Sequence, residues 1–154
     1  MRMSTFGAGL AVAAVLIWLG MVVAISFIEA PLKFTAPGVT LAIGLGIGRK
    51  VFRALNSVEG LLGVVAVIAV ILMARADETY SAAIWIGVVV AIACLAVQVI
   101  GVRPALTRRS NEVLAGDGTK AEDKRSTAHY YYVAFELIKV IALITAATAL
   151  LLHE

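Results

Sequence analysis

Four long stretches of this chain carry no charged side chain, and they constrain its fold more than any other feature. They cover residues 3–28, 60–74, 79–102 and 140–152. The hydrocarbon core of a bilayer is about 30 Å thick and takes roughly 20 apolar residues to cross as a helix. A segment that crosses must be helical, because no water is present there to satisfy its backbone groups. We therefore predict an all-α integral membrane protein, a bundle of four transmembrane helices near 6–28, 55–74, 82–102 and 131–152.

Composition agrees with a single membrane domain covering 1–154. Of the 154 residues, 62% are hydrophobic and 15% are charged, and the mean hydropathy is +0.99. A soluble domain is about half apolar and about a quarter charged. The formal net charge is +3, which in a soluble protein could indicate nucleic acid. Here the basic residues are concentrated on one side of the predicted spans, which is typical of a protein oriented in a membrane. We therefore expect the lipid bilayer as a partner and no nucleic acid.

The basic residues predict the orientation of the spans. Four spans place the connections 29–54 and 103–130 on one side, with both termini and the short middle turn on the other. Ten basic residues lie on the first side and only Arg2 and Arg75 on the second. By the positive-inside rule, both long connections are cytoplasmic and both termini lie outside the cytoplasm. We expect a bacterial inner membrane protein. The first apolar run is too long for a signal peptide, and three more spans follow it.

The cytoplasmic connections are expected to contain amphipathic interfacial helices. The first connection opens with Pro31 and Pro37, and residues 38–48 then alternate glycine with leucine or isoleucine. These eleven residues are too few to cross, which predicts an interfacial or re-entrant stretch. In 49–56 an apolar face lies beside three basic residues that we expect at lipid headgroups, Arg49, Lys50 and Arg53. The second connection predicts a helix that begins at Pro104 and ends near Gly116.

Ionisable and amide side chains within the spans form a candidate polar cluster. Helical spacing puts His129, Tyr132, Glu136 and Lys139 on one stripe of the fourth span. Charged groups near mid-membrane avoid lipid and mark functional sites by default, although they can also fix helix packing. We expect one polar layer in the cytoplasmic leaflet, made of Glu29, Glu59, Gln98, His129, Glu136 and Lys139.

Both hairpins also place a glutamate just inside their second span, in "NSVEGLL" and "YVAFELIK". This short similarity indicates an internal repeat.

Other motifs point to no cofactor and no metal. The "GLGIG" stretch imitates part of a dinucleotide fingerprint, but no strand precedes it and Arg49 breaks the spacing. His129 is the one internal histidine, which excludes an ordinary zinc site or a bis-histidine haem and leaves open a single axial haem ligand. The single Cys94 lies within a span, so there is no disulfide framework. Trp18 and Trp85 are interpreted as packing or interface residues.

The layout resembles that of uncharacterised small bacterial membrane proteins related to the transmembrane-protein-205 group. The shared features are the four spans, the "EAPLKF" end of the first span, the "GIGRKVF" segment, and "HYYYVAFEL" at the start of the last span. Glu29 and Lys139 have no counterpart in that pattern. The resemblance implies the four-span topology and little about activity.

The leading functional hypothesis is non-catalytic. We expect a small polytopic membrane protein that acts as a homo-oligomer or as an accessory subunit of a membrane complex, and not as an enzyme. One alternative is a proton-coupled small-molecule transporter that uses Glu59, Glu136 and Lys139. Another is a membrane enzyme for a quinone, haem or lipid substrate, with His129 and Glu136 as acid–base residues. A dry, closely packed core favours the first hypothesis, whereas a lipid-like ligand between the spans favours the others.

Overall fold

The computed structural model describes residues 2–76, 81–115 and 127–152, which contain helices and no strand. Four helical segments are long and apolar enough to cross a membrane, which confirms the all-α, multi-pass prediction: Phe6–Thr35, Leu41–Arg75, Ala82–Arg108 and His129–Leu151. We number the α-helices α1 (Arg2–Val22), α2 (Ala30–Leu32), α3 (Leu41–Ala76), α4 (Ala82–Val97), α5 (Arg103–Leu114) and α6 (Thr127–Leu151).

The spans pack as two antiparallel hairpins. In the first, α1 lies along α3, with Gly7 beside the backbone of Met73 and Trp18 beside Gly63. In the second, α4 lies along α6, with Gly87 beside Ala146. The hairpins meet where α1 contacts α6 and where α3 contacts α4. One apolar core of inward-facing side chains, among them Trp18 and Leu143, therefore runs through all four spans.

The two hairpins repeat the same pattern of burial. When the two hairpin sequences are aligned so that Pro31 matches Pro104, five buried residues of α1 align with five buried residues of α4. When they are aligned so that Glu59 matches Glu136, five further buried residues of α3 align with buried residues of α6. The matched pairs are Ala11/Ile84, Ala14/Gly87, Val15/Val88, Trp18/Ala91 and Val22/Leu95, then Leu55/Tyr132, Ala66/Leu143, Ala69/Ala146, Val70/Ala147 and Met73/Leu150. The two hairpins thus share one pattern of buried positions, with a glutamate at corresponding places in their second helices.

Each hairpin's first helix contains a π-helical segment that is followed by a proline. The first π segment is Val23–Glu29 and the second is Gln98–Val102. Each ends two residues before a proline, Pro31 or Pro104. A proline lacks an N–H and its ring clashes with the carbonyl four residues earlier. A wider π turn displaces that carbonyl and lets the helix continue. The first helical run therefore passes through Pro31 and ends only at Thr35, before Pro37.

The second span differs from its prediction at its start. The structure has one uninterrupted helix, Leu41–Ala76, where the sequence predicts a separate interfacial stretch before a span at 55–74. The glycines serve close packing: a Cβ at Gly44 would collide with the Phe34 ring, and one at Gly48 would lie 3.0 Å from Lys33 Nζ. Thirty-six residues make a helix about 54 Å long. The helix is thus longer than the roughly 30 Å hydrocarbon layer.

The helix predicted in the second connection is present. It begins at Arg103, one residue before the expected Pro104, because the π segment leads into it without a break. It ends at Leu114, and the predicted stop near Gly116 lies outside the described residues. The Arg49 guanidinium of α3 donates to the Asn111 side-chain oxygen of α5 at 2.9 Å. This bond joins the two long connections to each other.

Candidate functional site: a buried polar cluster

A group of polar side chains lies inside the bundle, and all four spans contribute to it. We call Trp18, Glu59, Gln98, Glu136 and Lys139 the buried polar cluster. Trp18 comes from α1, Glu59 from α3, Gln98 from the start of the second π segment, and the last two from α6. None is more than 1% exposed. Such burial in an apolar bundle requires partners, because an unpaired charge at this depth is strongly unfavourable.

Lys139 is the centre of the cluster. Its ammonium lies 2.6 Å from Glu59 Oε1 and 3.0 Å from Glu136 Oε1. It also donates to Gln98 Oε1 at 2.8 Å. An ammonium has three donors and no acceptor, so these three oxygens match its capacity. A single side chain thus connects the second, third and fourth spans.

Glu59 is held by donors at both carboxylate oxygens. In addition to Lys139, the Trp18 indole Nε1 donates to Glu59 Oε1 at 2.9 Å. The Asn56 amide, oriented with its nitrogen towards acceptors, donates to Glu59 Oε2 at 3.1 Å and to the Phe52 carbonyl at 3.3 Å. Three different side chains therefore donate to this one carboxyl group.

Gln98 connects the third span to the fourth. Its Nε2 donates to Glu136 Oε1 at 2.8 Å and to the Tyr132 carbonyl at 3.3 Å. The Tyr132 carbonyl belongs to the backbone of α6, where a carbonyl normally accepts from an N–H of its own helix. The bond from Gln98 therefore connects this side chain to the backbone of the neighbouring helix. Gln98 is the first residue of the second π segment, a helix type that is frequent at functional sites.

The bonding of Glu136 is uneven. Its Oε1 accepts from Gln98 and Lys139, whereas its Oε2 is buried with no hydrogen-bond partner. The Tyr132 hydroxyl, one helical turn earlier on the same face, is also buried and unpartnered. The Tyr132 ring packs edge-on against Phe52, with 5.3 Å between the ring centres. Two buried polar atoms without partners therefore lie on one stripe of α6, at the edge of the cluster.

Two large and opposing effects decide how much the cluster contributes to stability: the attraction between its charges and their loss of hydration. Buried ion pairs gain Coulomb energy in a low dielectric but lose the hydration of both charges, so the net stabilisation is small. Removing one partner is different, because it leaves an uncompensated buried charge, a loss of about 3–5 kcal/mol. The cluster therefore adds modestly to stability and strongly restricts how the four helices can pack.

Four of the six predicted cluster residues come together in the structure, and two do not. Glu59, Gln98, Glu136 and Lys139 are joined as described. Glu29 is one-third exposed, and its carboxylate pairs with Lys33 on its own helix at 3.3 Å. His129 is exposed at the start of the fourth span, with its ring 6.3 Å from that of Tyr130. The first span's contribution to the cluster is thus Trp18 and not Glu29.

Trp18 and Asn56 are the members of this site that the sequence interpretation missed. A tryptophan within an apolar span carries an indole N–H that requires an acceptor when it is buried, and this signal points to a nearby carboxylate. Asn56 lies one turn before Glu59 on the same helix face, in the amphipathic segment that is predicted to lie at lipid headgroups. Its spacing to Glu59 is the signal that could have placed it here.

The predicted headgroup residues lie in the N-terminal part of α3. Lys50 and Arg53 are exposed, and Arg49 is partly buried against α5 through its bond to Asn111. Nearby, the Lys33 ammonium sits over the Phe34 and Phe52 rings at 5.6 and 5.3 Å from their centres. Binding of these basic residues to lipid stays a prediction.

Within the described part of the chain, no group of three histidine, cysteine or acidic side chains is arranged to hold a metal ion. No protein-family model, no curated protein and no solved structure matches this sequence.

Proposed function

We propose that this multi-pass protein is a non-catalytic component of a membrane assembly, acting as a homo-oligomer or as an accessory subunit of a larger complex in a bacterial inner membrane. The observation that supports this is that the polar groups of the cluster bond to one another. Lys139 has all three donors engaged, and Glu59 and Gln98 are bonded on every side that the structure describes. Groups bonded in this way hold helices together.

Close packing of the spans around the cluster supports the same proposal. A Cβ at Gly87 would lie 2.5 Å from the Ala142 carbonyl oxygen, and one at Gly7 would lie 3.0 Å from the Met73 backbone nitrogen. Small residues that let helix backbones approach are typical of tightly packed membrane helices. We therefore expect the bundle to act on other molecules through its outer surface.

The cytoplasmic end of the bundle provides a surface of this kind. The helix α3 is about 54 Å long and the hydrocarbon layer about 30 Å thick, so its first turns extend towards the cytoplasmic side in the orientation that the basic residues predict. These turns present exposed Lys50 and Arg53 together with exposed Leu41 and Ile47. Basic residues above apolar ones fit the anionic leaflet. We infer that this end anchors the protein at the inner face of the membrane.

The test is the mass of the particle that the protein forms in a native membrane. The protein would be extracted directly into lipid nanodiscs and analysed by native mass spectrometry. We expect a multiple of the 16.2 kDa chain, or the chain together with a second subunit in fixed ratio. A strictly monomeric particle, at the expression level of the native host, would contradict the proposal.

A second candidate function, a proton-coupled small-molecule transporter, is favoured by one observation. Two carboxylates share a single lysine inside the bundle, and Glu136 Oε2 has no partner. Transporters built from parallel repeats place their coupling sites at the repeat interface, and the cluster lies between the two hairpins. The test is proton flux into liposomes that contain the protein. Flux that is abolished by Glu136→Gln and unchanged by Glu29→Gln would support transport; equal background flux in all three would exclude it.

The enzyme hypothesis has no comparable support. It requires His129 and Glu136 to act together, but His129 is exposed and Glu136 is buried. They are seven residues apart on one helix, a rise of about 10 Å. Acid–base partners must lie within hydrogen-bond reach of one substrate proton or of a bridging water.

A further inference from the structure

We propose that the buried polar cluster holds one exchangeable proton, shared between the carboxyl groups of Glu59 and Glu136, so that the cluster as a whole is neutral. The proton comes from bulk water, and it converts one of the two carboxylates to a carboxylic acid. The inference concerns a binding site for a proton in the closed bundle. It holds whether the protein is an assembly subunit or a transporter.

The first argument is charge balance. The cluster contains two carboxyl groups and one ammonium, each at most 1% exposed. With all three ionised, one negative charge would remain unpaired inside the apolar bundle. An isolated buried charge is so unfavourable that the group takes up or loses a proton instead. One bound proton brings the total charge to zero.

The surrounding elements do not supply the missing positive charge through any contact described. The neighbouring titratable groups are Glu59 on α3, Cys94 on α4, and Tyr132 and Lys139 on α6 itself. From α5, Arg103 lies within electrostatic range of Tyr132, but it is partly exposed and water screens its charge. Lys139 is thus the buried cation of the site, and it faces two carboxyl groups.

The second argument is that both carboxyl groups contact the same cation. Glu59 Oε1 and Glu136 Oε1 each lie within ion-pair distance of the Lys139 ammonium. The ammonium can balance the charge of one of them, so a single proton shared between the two leaves no unpaired charge.

A comparison of the two hairpins shows where the charge imbalance lies. Glu59 and Glu136 occupy corresponding positions, so each hairpin contributes one carboxyl group. The position that corresponds to Lys139 in the first hairpin is occupied by Leu62. The lysine is present in the second hairpin only, and both carboxyl groups contact it.

The decisive experiment is infrared spectroscopy of the wild-type protein in lipid bilayers at pH 8, where exposed carboxyl groups are ionised. We expect one carboxylic acid C=O band per chain. Labelling all glutamates with ¹³C on the side-chain carboxyl should shift this band, and transfer to D₂O should shift it further. A spectrum without the band would show both carboxyl groups ionised and would overturn the proposal, as would a band equal to two acids.

Variants test the sharing of the proton. Glu136→Gln and Glu59→Gln should each abolish the band, because the remaining carboxylate is then neutralised by Lys139. Lys139→Met should double it, since both acids must then be neutral. Glu29→Gln, a change at a partly exposed glutamate outside the cluster, should leave it unchanged. A band that persists in full in Glu136→Gln would contradict the proposal, as would a band-free protein whose stability depends on Na⁺ or K⁺.

Discussion

At the scale of single residues, the arrangement of the cluster follows from what each side chain can donate and accept. Lys139 has three donors and meets three oxygens, and Glu59 accepts from the Trp18 indole and the Asn56 amide as well as from Lys139. Trp18 illustrates the principle well. Its ring belongs to the apolar core and its N–H to the polar cluster, so one residue links the two kinds of interaction.

Trp18→Phe should be destabilising by about 2 kcal/mol, because a buried hydrogen bond to a charged group is lost. Trp85→Phe is the matched control: Trp85 is only partly buried and packs against the core from its edge. We expect its replacement to lower the free energy of unfolding by less. Both values can be measured by denaturant titration in one detergent. Equal losses in the two variants would mean that the bond to Glu59 contributes little.

At the scale of helices, packing of small residues sets the distances between the spans. The helix α4 lies close to α6 at Gly87, where a Cβ would meet both the Ala142 carbonyl oxygen and, at 2.7 Å, the Ala146 Cβ. The corresponding residue of the first hairpin, Ala14, is buried but tolerates a methyl group. The second hairpin is therefore the more tightly joined pair at this level.

Gly87→Ala should destabilise the bundle by about 1–3 kcal/mol, the usual range for overpacking a core. Gly20→Ala provides the control, because nothing lies within 4 Å of a Cβ at Gly20 and alanine favours the helix by up to about 1 kcal/mol. Thermal unfolding in detergent measures both. If Gly87→Ala were as well tolerated as Gly20→Ala, the close approach of α4 to α6 would be in doubt.

The sequence predicts the helices better than it predicts their ends. Uncharged stretches identify the four spans because the bilayer imposes both length and helicity. The start of α3 is not predictable in this way, since the alternating glycines before Arg49 look like a turn or interfacial stretch when read alone. Their role depends on Phe34 and Lys33, which lie on another helical segment. Likewise, periodicity finds Glu136 and Lys139 on one stripe, but only the packing of α1 shows that Trp18, and not Glu29, joins them.

At the scale of the whole molecule, the protein is a pair of similar hairpins joined by a polar centre. The hairpins share a pattern of buried positions and each contains a π segment, whereas the lysine of the cluster is present in the second hairpin only. Both hairpins begin on the same side in this arrangement. That shared direction agrees with the uneven distribution of basic residues, from which we predict that both long connections are cytoplasmic.

The orientation can be tested by labelling single cysteines in a Cys94→Ala background. A cysteine at Ser4 should react in intact cells with a thiol reagent that cannot cross the membrane. One at Thr119, which lies outside the described residues, should react only after the cells are opened. The control is full reaction of both in detergent. Protection of Ser4 with labelling of Thr119 would reverse the topology.

The central claim is that the buried polar cluster couples the two hairpins, and the ion pair between Glu59 of the first and Lys139 of the second is its most direct test. The measurement is a double-mutant cycle of unfolding free energies for wild type, Glu59→Gln, Lys139→Met and the double variant. We expect Lys139→Met to lose about 3 kcal/mol or more, because it leaves buried carboxyl groups without their cation. The double variant should lose less than the two single losses combined, with a coupling of at least about 1 kcal/mol. Additive losses would contradict the account.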